Sequence, residues 1–252
     1  MGFPRLSKAP IAEAAIEIRV PPATPIPLHA IDEFCSVVAE QYPVSSPLRF
    51  IAPRFDLENL DDAQTEVQTK TAYSRFGARL ESEDARMVLQ AKHDGLVVSR
   101  LQPYDSWEQL IAEVRKLWLI YAQLFKPAAV IRLGVRYINR IQLSYVDGFV
   151  DFDKVFTRGP QIPPTLPQSL ESFYTRIVMP LPGHSATLAL VQSLDAPLED
   201  GSHFATLDLD ASTATAMPPD AQSLWGQLEQ LRAAKNEAFF ASLHREVWEQ
   251  YR

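Results

Sequence analysis

Strict two-residue alternation over residues 130–143, V-I-R-L-G-V-R-Y-I-N-R-I-Q-L, is the feature that most constrains the fold. Successive side chains of a β-strand point to opposite faces, so the pattern predicts a strand that is half buried in a sheet. The face opposite the apolar residues carries a ladder of fixed positive charges, Arg132, Arg136 and Arg140. Such a ladder either lines a site for an anion or lies solvated on an open sheet.

The rest of the chain alternates between strand patterns and helical stripes. Further strands are predicted over residues 11–20, 48–57, 66–81, 86–102, 173–181, 185–194 and 203–211. Helices are predicted from residue 28 to Tyr42, from a cap at Asp105 or Ser106 to Lys126, and from a cap at Asp220 onward. Asn59-Leu60-Asp61-Asp62 predicts a turn. Asp94-Gly95 marks either a bulge or a turn that divides its segment into a hairpin.

The order of these elements predicts the fold class. Because hairpin-length connections dominate, we expect an α+β fold with a mainly antiparallel, strongly curved sheet or partial barrel packed on two long helices. Residues 1–127 give the order β-α-β-β-β-α, and residues 128–252 give nearly the same order. We expect a single domain over residues 1–252. Its two halves are either related by a β-α-β-β-β-α pseudo-repeat or alike by coincidence.

Composition limits the class of protein. With 252 residues and 46% apolar content, the chain is long enough to bury a substantial core. A net charge of -7 argues against a surface made for nucleic acid or anionic lipid. We expect a cytoplasmic protein, because no segment has the ~18 apolar residues of a membrane span and the N-terminus lacks the apolar core of a signal peptide. The single cysteine, Cys35, fits a reducing compartment and a helical packing position.

Several common chemistries have no motif in this chain. The five histidines lie in separate predicted elements, and none is spaced to share a zinc site on a helix. The sequence contains no phosphate-binding loop, no dinucleotide-binding glycine motif and no nucleophile elbow. We therefore assign no catalytic residue and favour a protein that is not an enzyme.

Other predicted strands carry cations that extend the ladder. Arg75 and Arg79 are expected to share one face of their strand, and Lys92 lies in the next segment. Arginine holds planar oxyanions through paired donors and stays charged when it is desolvated, so these residues suit phosphate or carboxylate. The candidate ligand-binding residues are Arg132, Arg136, Arg140, Arg75, Arg79, Arg100 and Arg176.

The first strand suggests an alternative in which a metal ion takes part. Its segment Glu17-Ile18-Arg19 weakly resembles the opening strand of the triphosphate tunnel enzymes, a family of closed antiparallel barrels lined by cations. In that family two glutamates and a lysine alternate, whereas Ala15 and Arg19 occupy the first and last positions here. The resemblance implies a Mg²⁺ ion on Glu17. Asp208 and Asp210 share a face in T-L-D-L-D, so they either bind Mg²⁺ as well or form an exposed polar strand edge; otherwise we expect no cofactor.

A broader resemblance covers most of the chain. It rests on A-P-I-A-E-A near the start, P-Y-D-S-W before the first long helix and R-L-G-V-R-Y-I-N-R just after it. With these motifs the chain resembles a sporadically distributed, uncharacterised bacterial family of about this length. The resemblance implies a bacterial accessory protein and no particular activity. The patchy occurrence of that family suggests a defence or toxin-linked role.

Three hypotheses about function follow. The first is a binding or interaction protein whose arginine face recognises an anionic small molecule or an acidic protein segment. The second is a metal-dependent phosphohydrolase that acts on nucleotides or polyphosphate. The third is an antitoxin-like or defence-associated oligomeric scaffold. The C-terminal helix, with Phe239, Phe240, Trp248 and Tyr251, is unusually apolar, so we expect it to dock onto the body of the chain or to form a homo-oligomer.

Overall fold

The computed structural model describes residues 3–55, 69–144, 150–182, 185–214 and 216–252. The strands are β1 (Ile11–Arg19), β2 (Val44–Phe55), β3 (Thr69–Glu81), β4 (Met87–Lys92), β5 (Gly95–Leu101), β6 (Arg132–Leu143), β7 (Tyr174–Leu181), β8 (Ala186–Leu194) and β9 (His203–Thr213). The helices are α1 (Leu28–Val38), α2 (Trp107–Phe125), α3 (Phe152–Val155), α4 (Gln222–Ser242) and α5 (Arg245–Trp248), followed by a 3₁₀ turn (Glu249–Tyr251).

All nine strands belong to one sheet in the order β2-β3-β4-β5-β1-β6-β9-β8-β7. Every neighbouring pair is antiparallel, which confirms the predicted α+β class with an antiparallel sheet. The described strands do not close into a barrel, because β2 and β7 stand at opposite edges. The first strand of the chain, β1, and the predicted arginine strand, β6, pair with each other at the middle of this open sheet.

The apolar core lies on one side of the sheet, where the helices pack. Residues at every second position of β1, β6 and β9 are buried there, as Ile16, Leu133 and Leu209 illustrate. Helix α2 begins after Ser106, whose side chain accepts a hydrogen bond from the Gln109 N–H and so satisfies a free amide of the first turn. Helix α2 packs against α1 and β5, and α4 packs against β6 and β9. The opposite face of the central strands carries the polar alternates.

The segment predicted over residues 86–102 is a hairpin. Strands β4 and β5 pair from the Lys92–Gly95 pair outward, with His93 and Asp94 as the turn. Gly95 has a φ of +146°, and a Cβ there would lie 2.4 Å from the Ile18 carbonyl oxygen, so the position favours glycine. The turn predicted at Asn59-Leu60-Asp61-Asp62 lies outside the described residues.

The C-terminal segment packs back onto its own chain. The Tyr251 carbonyl accepts a hydrogen bond from the Lys8 N–H at 3.0 Å, and the rings of Phe240 and Trp248 meet edge to face. Of the two docking modes expected for the apolar C-terminus, the contacts seen are those with the body of the chain. No helix among the described residues has the length and apolar content needed to cross a membrane.

Candidate functional site

The arginine ladder lies on the face of the sheet that the helices leave uncovered. On β6, Leu133, Val135 and Tyr137 are buried against the helices, while Arg132, Arg136 and Arg140 alternate with them on the other side. We call this side of the central strands the arginine face. It is formed mainly by alternate residues of β4, β5, β1, β6 and β9, because the register keeps those residues side by side.

Each arginine of the ladder is paired with a carboxylate. Arg136 donates from Nε and Nη2 to the two oxygens of Asp208, at 2.9 and 2.6 Å. Arg140 donates from Nε to Asp195 at 3.2 Å. The hydrogen bonds to Asp208 raise the pKa of Arg136 above its ordinary value. The ladder is therefore not a row of uncompensated charge: strand β9 supplies Asp208 beside it, and Asp195 lies between β8 and β9.

Arg132 has two acidic partners and holds β1 and β9 together across β6. Its Nη1 donates to Glu17 on β1, and its Nη2 lies 3.1 Å from Asp210 on β9. Gly134 makes this geometry possible, because a Cβ at that position would come within 2.7 Å of Arg132 Nη1. The missing side chain lets the guanidinium lie across the strand and reach both carboxylates.

Glu17 is the point where the positive charges concentrate. Its carboxylate accepts from Arg132 and from Arg19 Nη2, the latter at 3.0 Å, and Lys92 Nζ lies 3.9 Å away. Asp94 lies equally far from Lys92, at 3.9 Å. Both carboxylates are too far from the Lys92 ammonium for a hydrogen bond. Three cations thus surround one glutamate at this end of the arginine face.

A pocket of about 280 Å³ opens here in the middle of the sheet. Small, apolar and polar side chains line it. The small residues are Ala15, Ser99 and Gly134, the larger apolar residues are Val97 and Ile138, and the polar residues are Glu13, Glu17, Gln90, Lys92, Arg132, Arg136 and Asp210. The pocket is partly dry: the Lys92 side chain is only 15% exposed, whereas that of Arg136 is 52% exposed. Burial lowers the pKa of Lys92 below its ordinary value.

Two other predicted arginines share this face but are not among the residues that line the pocket. Arg79 is on β3, in register with Gln90 of β4, and pairs with Glu81 at 3.0 Å. Arg176 is on β7, in register with Val191 of β8. At about 4.8 Å per strand, Arg176 lies three strands and roughly 14 Å from β6. A ligand held in the pocket would not contact it directly.

Arg75 and Arg100 lie on the side of the helices, which corrects the prediction that they extend the ladder. Strand β3 has a bulge near Phe76, since Leu48 pairs with Gly77 but Arg49 pairs with Arg75. The extra residue reverses the alternation, and Arg75 contacts Asp32 of α1 at 2.6 Å. A period of two across the whole segment is wrong for this strand.

Arg100 has a different reason for facing the helices. It lies opposite Ala14, whose side chain is buried in the core, and it pairs with Asp105 just before α2 at 2.5 Å. The prediction left open whether Asp94-Gly95 divides residues 86–102 into a hairpin, and it did not fix the register of this segment against β1. The pairing with β1 decides the face, and it puts Arg100 beside the N-terminus of α2.

The three candidate metal ligands are all engaged by arginines. Glu17 and Asp210 meet at the same Arg132 guanidinium, and Asp208 holds Arg136. Among the residues that the structure describes, no group of three or more histidine, cysteine, aspartate or glutamate side chains is placed to hold a metal ion. In this arrangement the carboxylates serve as partners of cations.

Two polar residues were missed because they occupy core positions. Asn139 follows the apolar parity of β6 and is buried, and its Nδ2 donates to the Leu207 carbonyl at 2.9 Å. Lys235 continues the apolar stripe of α4 after Leu228 and Leu231, and its Nζ lies 3.5 Å from the centroid of the Tyr137 ring. In both cases the signal was present: a polar residue at a position whose periodicity predicts burial.

No protein-family model matches the chain, and a search of curated proteins found no match. The resemblance to an uncharacterised bacterial family therefore stays a prediction.

Proposed function

We propose that this chain is a binding protein whose arginine face takes a compact polar ligand through a phosphate or carboxylate group. The observation that carries the proposal is the pocket at the middle of the sheet, with Lys92, Arg132 and Arg136 among its lining residues. A concave, partly dry site strengthens charge-assisted hydrogen bonds to an oxyanion relative to a flat surface. Its volume of about 280 Å³ suits a small molecule better than a protein segment.

Lys92 is the group that we expect to meet the anion. Its ammonium has no hydrogen bond to any described residue, since its nearest carboxylate oxygens are 3.9 Å away. Arg19 and Arg132 lie nearby, on the same Glu17 carboxylate. An oxyanion at this end of the pocket would accept hydrogen bonds from the Lys92 ammonium. It would also reduce the repulsion among the three cations around Glu17.

The carboxylates narrow the class of ligand. They hold Arg132 and Arg136 in fixed orientations, which lowers the entropy cost of binding. They also bring the local charge close to balance, with Glu13 at the far end of the pocket. Glu13 lies four residues from Glu17 along β1, about 13 Å for an extended strand. A ligand with one acidic group and a neutral polar or cationic group at its other end fits this distribution best.

The pocket is at the junction of the two halves of the chain, which we propose to be pseudo-symmetric. In each half the first strand, β1 or β6, pairs with the last strand of a meander, β5 or β9, and a long helix follows. The first meander has four strands and the second has three. The β1–β6 pair then lies on the pseudo-twofold axis, and the pocket is built by both halves.

The binding proposal is tested by ligand-induced thermal stabilisation. The panel contains inorganic phosphate, acetate, succinate, amino acids, nucleoside monophosphates and triphosphates, and each is measured with and without Mg²⁺. At a concentration 100 times its dissociation constant, a ligand stabilises the folded state by about 2.7 kcal/mol. We expect at least one member with a single acidic group to raise the melting temperature.

The matched variants are Lys92→Met in the pocket and Lys116→Met on the exposed surface of α2. We expect Lys92→Met to abolish the ligand-induced shift and Lys116→Met to retain it. A panel without any shift, or a shift that Lys92→Met retains, would contradict the proposal. Phosphate release from a triphosphate only when Mg²⁺ is present would favour the metal-dependent phosphohydrolase instead.

A further inference from the structure

The outer edge of β7 is open and apolar. None of the described strands pairs with this edge, because β7 ends the sheet. Its exposed side chains include Tyr174 at 67%, Ile177 at 48% and Val178 at 51%. These residues lie on both faces of the strand, and β7 lies outside β6, β9 and β8, the strands against which α4 packs. Natural edge strands usually carry lysine, proline or a bulge that discourages pairing.

The other edge of the sheet, β2, has such protection. Its twelve residues include Pro47 and Pro53, which have no N–H to donate to an incoming strand. A bulge also interrupts its pairing with β3. In β7 the single proline is Pro180, next to the last residue, and the register with β8 is continuous from Tyr174 to Leu181. One edge of the sheet is therefore blocked and the other is left open.

We propose that β7 is the interface through which two copies of this chain form a dimer, by antiparallel pairing of β7 with β7. A register centred on Ile177 places Ile177 opposite Ile177 of the second copy and Arg176 opposite Val178 of the second copy. Arg176 is the only charged residue of β7, and in this register each Arg176 lies opposite an apolar Val178, so the two arginines do not face each other. Tyr174 then meets Pro180 of the second copy at each end.

A second copy fits this edge better than a foreign strand for two reasons. A twofold axis through Ile177 satisfies both strands with the same side chains, which is the requirement of an isologous interface. In addition, β7 is the one open edge among the described strands, so pairing of β7 with β7 leaves the blocked β2 edges outside. The assembly closes at two copies and does not continue into a fibre.

The size of the interface sets its expected strength. Two eight-residue strands and three exposed apolar side chains from each copy bury less than the ~1,600 Å² of a standard interface. We therefore expect a dimer with a dissociation constant in the micromolar range, which corresponds to about 8 kcal/mol.

The test is sedimentation velocity of the full chain from about 1 to 300 μM, a range that brackets the micromolar constant expected above. We expect the mass to rise with concentration from 28.3 kDa towards twice that value and then to stop. Val178→Lys should raise the dissociation constant at least tenfold, because it puts a charge beside the pairing edge. Val44→Lys is the matched control, since Val44 is 55% exposed on the other edge strand; it should leave dimerisation unchanged.

Circular dichroism of each variant shows whether it folds, and Tyr174→Lys is a second variant at a highly exposed position. Hydrogen exchange of wild-type β7 should slow as the concentration rises. A wild-type chain that stays monomeric at 300 μM overturns the proposal. Assembly beyond two copies, a dimer that both β7 variants retain, or one that Val44→Lys weakens equally, would also overturn it.

Discussion

The two faces of the sheet accommodate a basic side chain in opposite ways, and adjacent residues of β6 show the contrast. On the arginine face, Arg136 has a carboxylate partner in Asp208, which raises its pKa. On the covered face, Tyr137 presents its ring to Lys235 of α4 at 3.5 Å. No described carboxylate forms an ion pair with Lys235, and burial together with the nearby Arg232 lowers its pKa to about 7.

This difference shows what stabilises a basic side chain on each face of the sheet. On the arginine face, a fixed charge is retained by a partner of opposite sign within the same sheet. On the covered face, an aromatic ring contacts the α4 lysine but no described carboxylate neutralises it, so loss of its proton lowers the free energy of the folded state. We expect arginine-face residues to depend on their carboxylates and Lys235 to depend on pH.

Lys235 should produce the largest effect, through the pH dependence of stability. The folded-state pKa of about 7 lies below the ordinary 10.5, so the unfolded chain binds more protons between these values. Stability therefore rises with pH in that window, by about 2 kcal/mol from pH 7 to pH 9, and is flat below it. Urea unfolding at pH 6, 7, 8 and 9 measures this rise.

Lys235→Met should remove that contribution, so that its advantage over wild type is greatest at pH 7 and below. Lys116→Met, an exposed lysine of α2, serves as the control and should keep the wild-type pH profile. If the pH profiles of wild type and Lys235→Met were parallel, Lys235 would not be the group that titrates.

Arg132→Met should have the next largest effect. It leaves Glu17 and Asp210 without their shared partner in a partly dry pocket, and the exposure of the three side chains reduces the cost to about 2 kcal/mol. The double variant Arg132→Met, Glu17→Gln should recover part of that loss. Arg136→Met is the comparison, because the greater exposure of Arg136 predicts a loss under ~1 kcal/mol. Equal losses for the two arginines would show that the pocket does not desolvate Arg132.

Gly134→Ala should lower the free energy of unfolding by less than Arg132→Met does, by about 1 kcal/mol. The new methyl group would displace the Arg132 guanidinium from the position in which it meets Glu17 and Asp210. Because the loss of stability acts through Arg132, the same substitution in an Arg132→Met chain should leave the free energy of unfolding unchanged. Chemical denaturation of the four chains measures this coupling. If the losses of unfolding free energy were additive, the effect of Gly134→Ala would come from the backbone and not from displacement of the guanidinium.

Much of the architecture could be predicted because it depends on local periodicity. The apolar stripe from Trp107 to Leu124 with its Ser106 cap correctly predicted α2. The alternation of β6 correctly put the arginines on the other face from Leu133 and Val135. These predictions need only the geometry of one element. The same logic, applied to Asn139 and Lys235, would have marked both as polar groups in the core.

The candidate site could be predicted only in part, because it depends on pairings between distant segments. The carboxylates of the ladder come from β1, from β9 and from Asp195 between β8 and β9, and β9 lies some seventy residues after β6 in the chain. No local pattern specifies that β9 pairs with β6. The sequence alone suggests Glu17, Asp208 and Asp210 as metal ligands and not as partners of the arginines, so the arginine face looks more positive than it is.

The sequence by itself determined which side chains of a strand share a face with their neighbours, because backbone geometry imposes that alternation wherever a strand is regular. Only the tertiary structure decided which strands lie together and in what register. Because of a single bulge near Phe76, Arg75 faces the helices. Arg100 faces them because of the register of β5 on β1. Hydrogen bonding between strands and burial of the apolar face set that register, and the charge balance of the ladder follows from it.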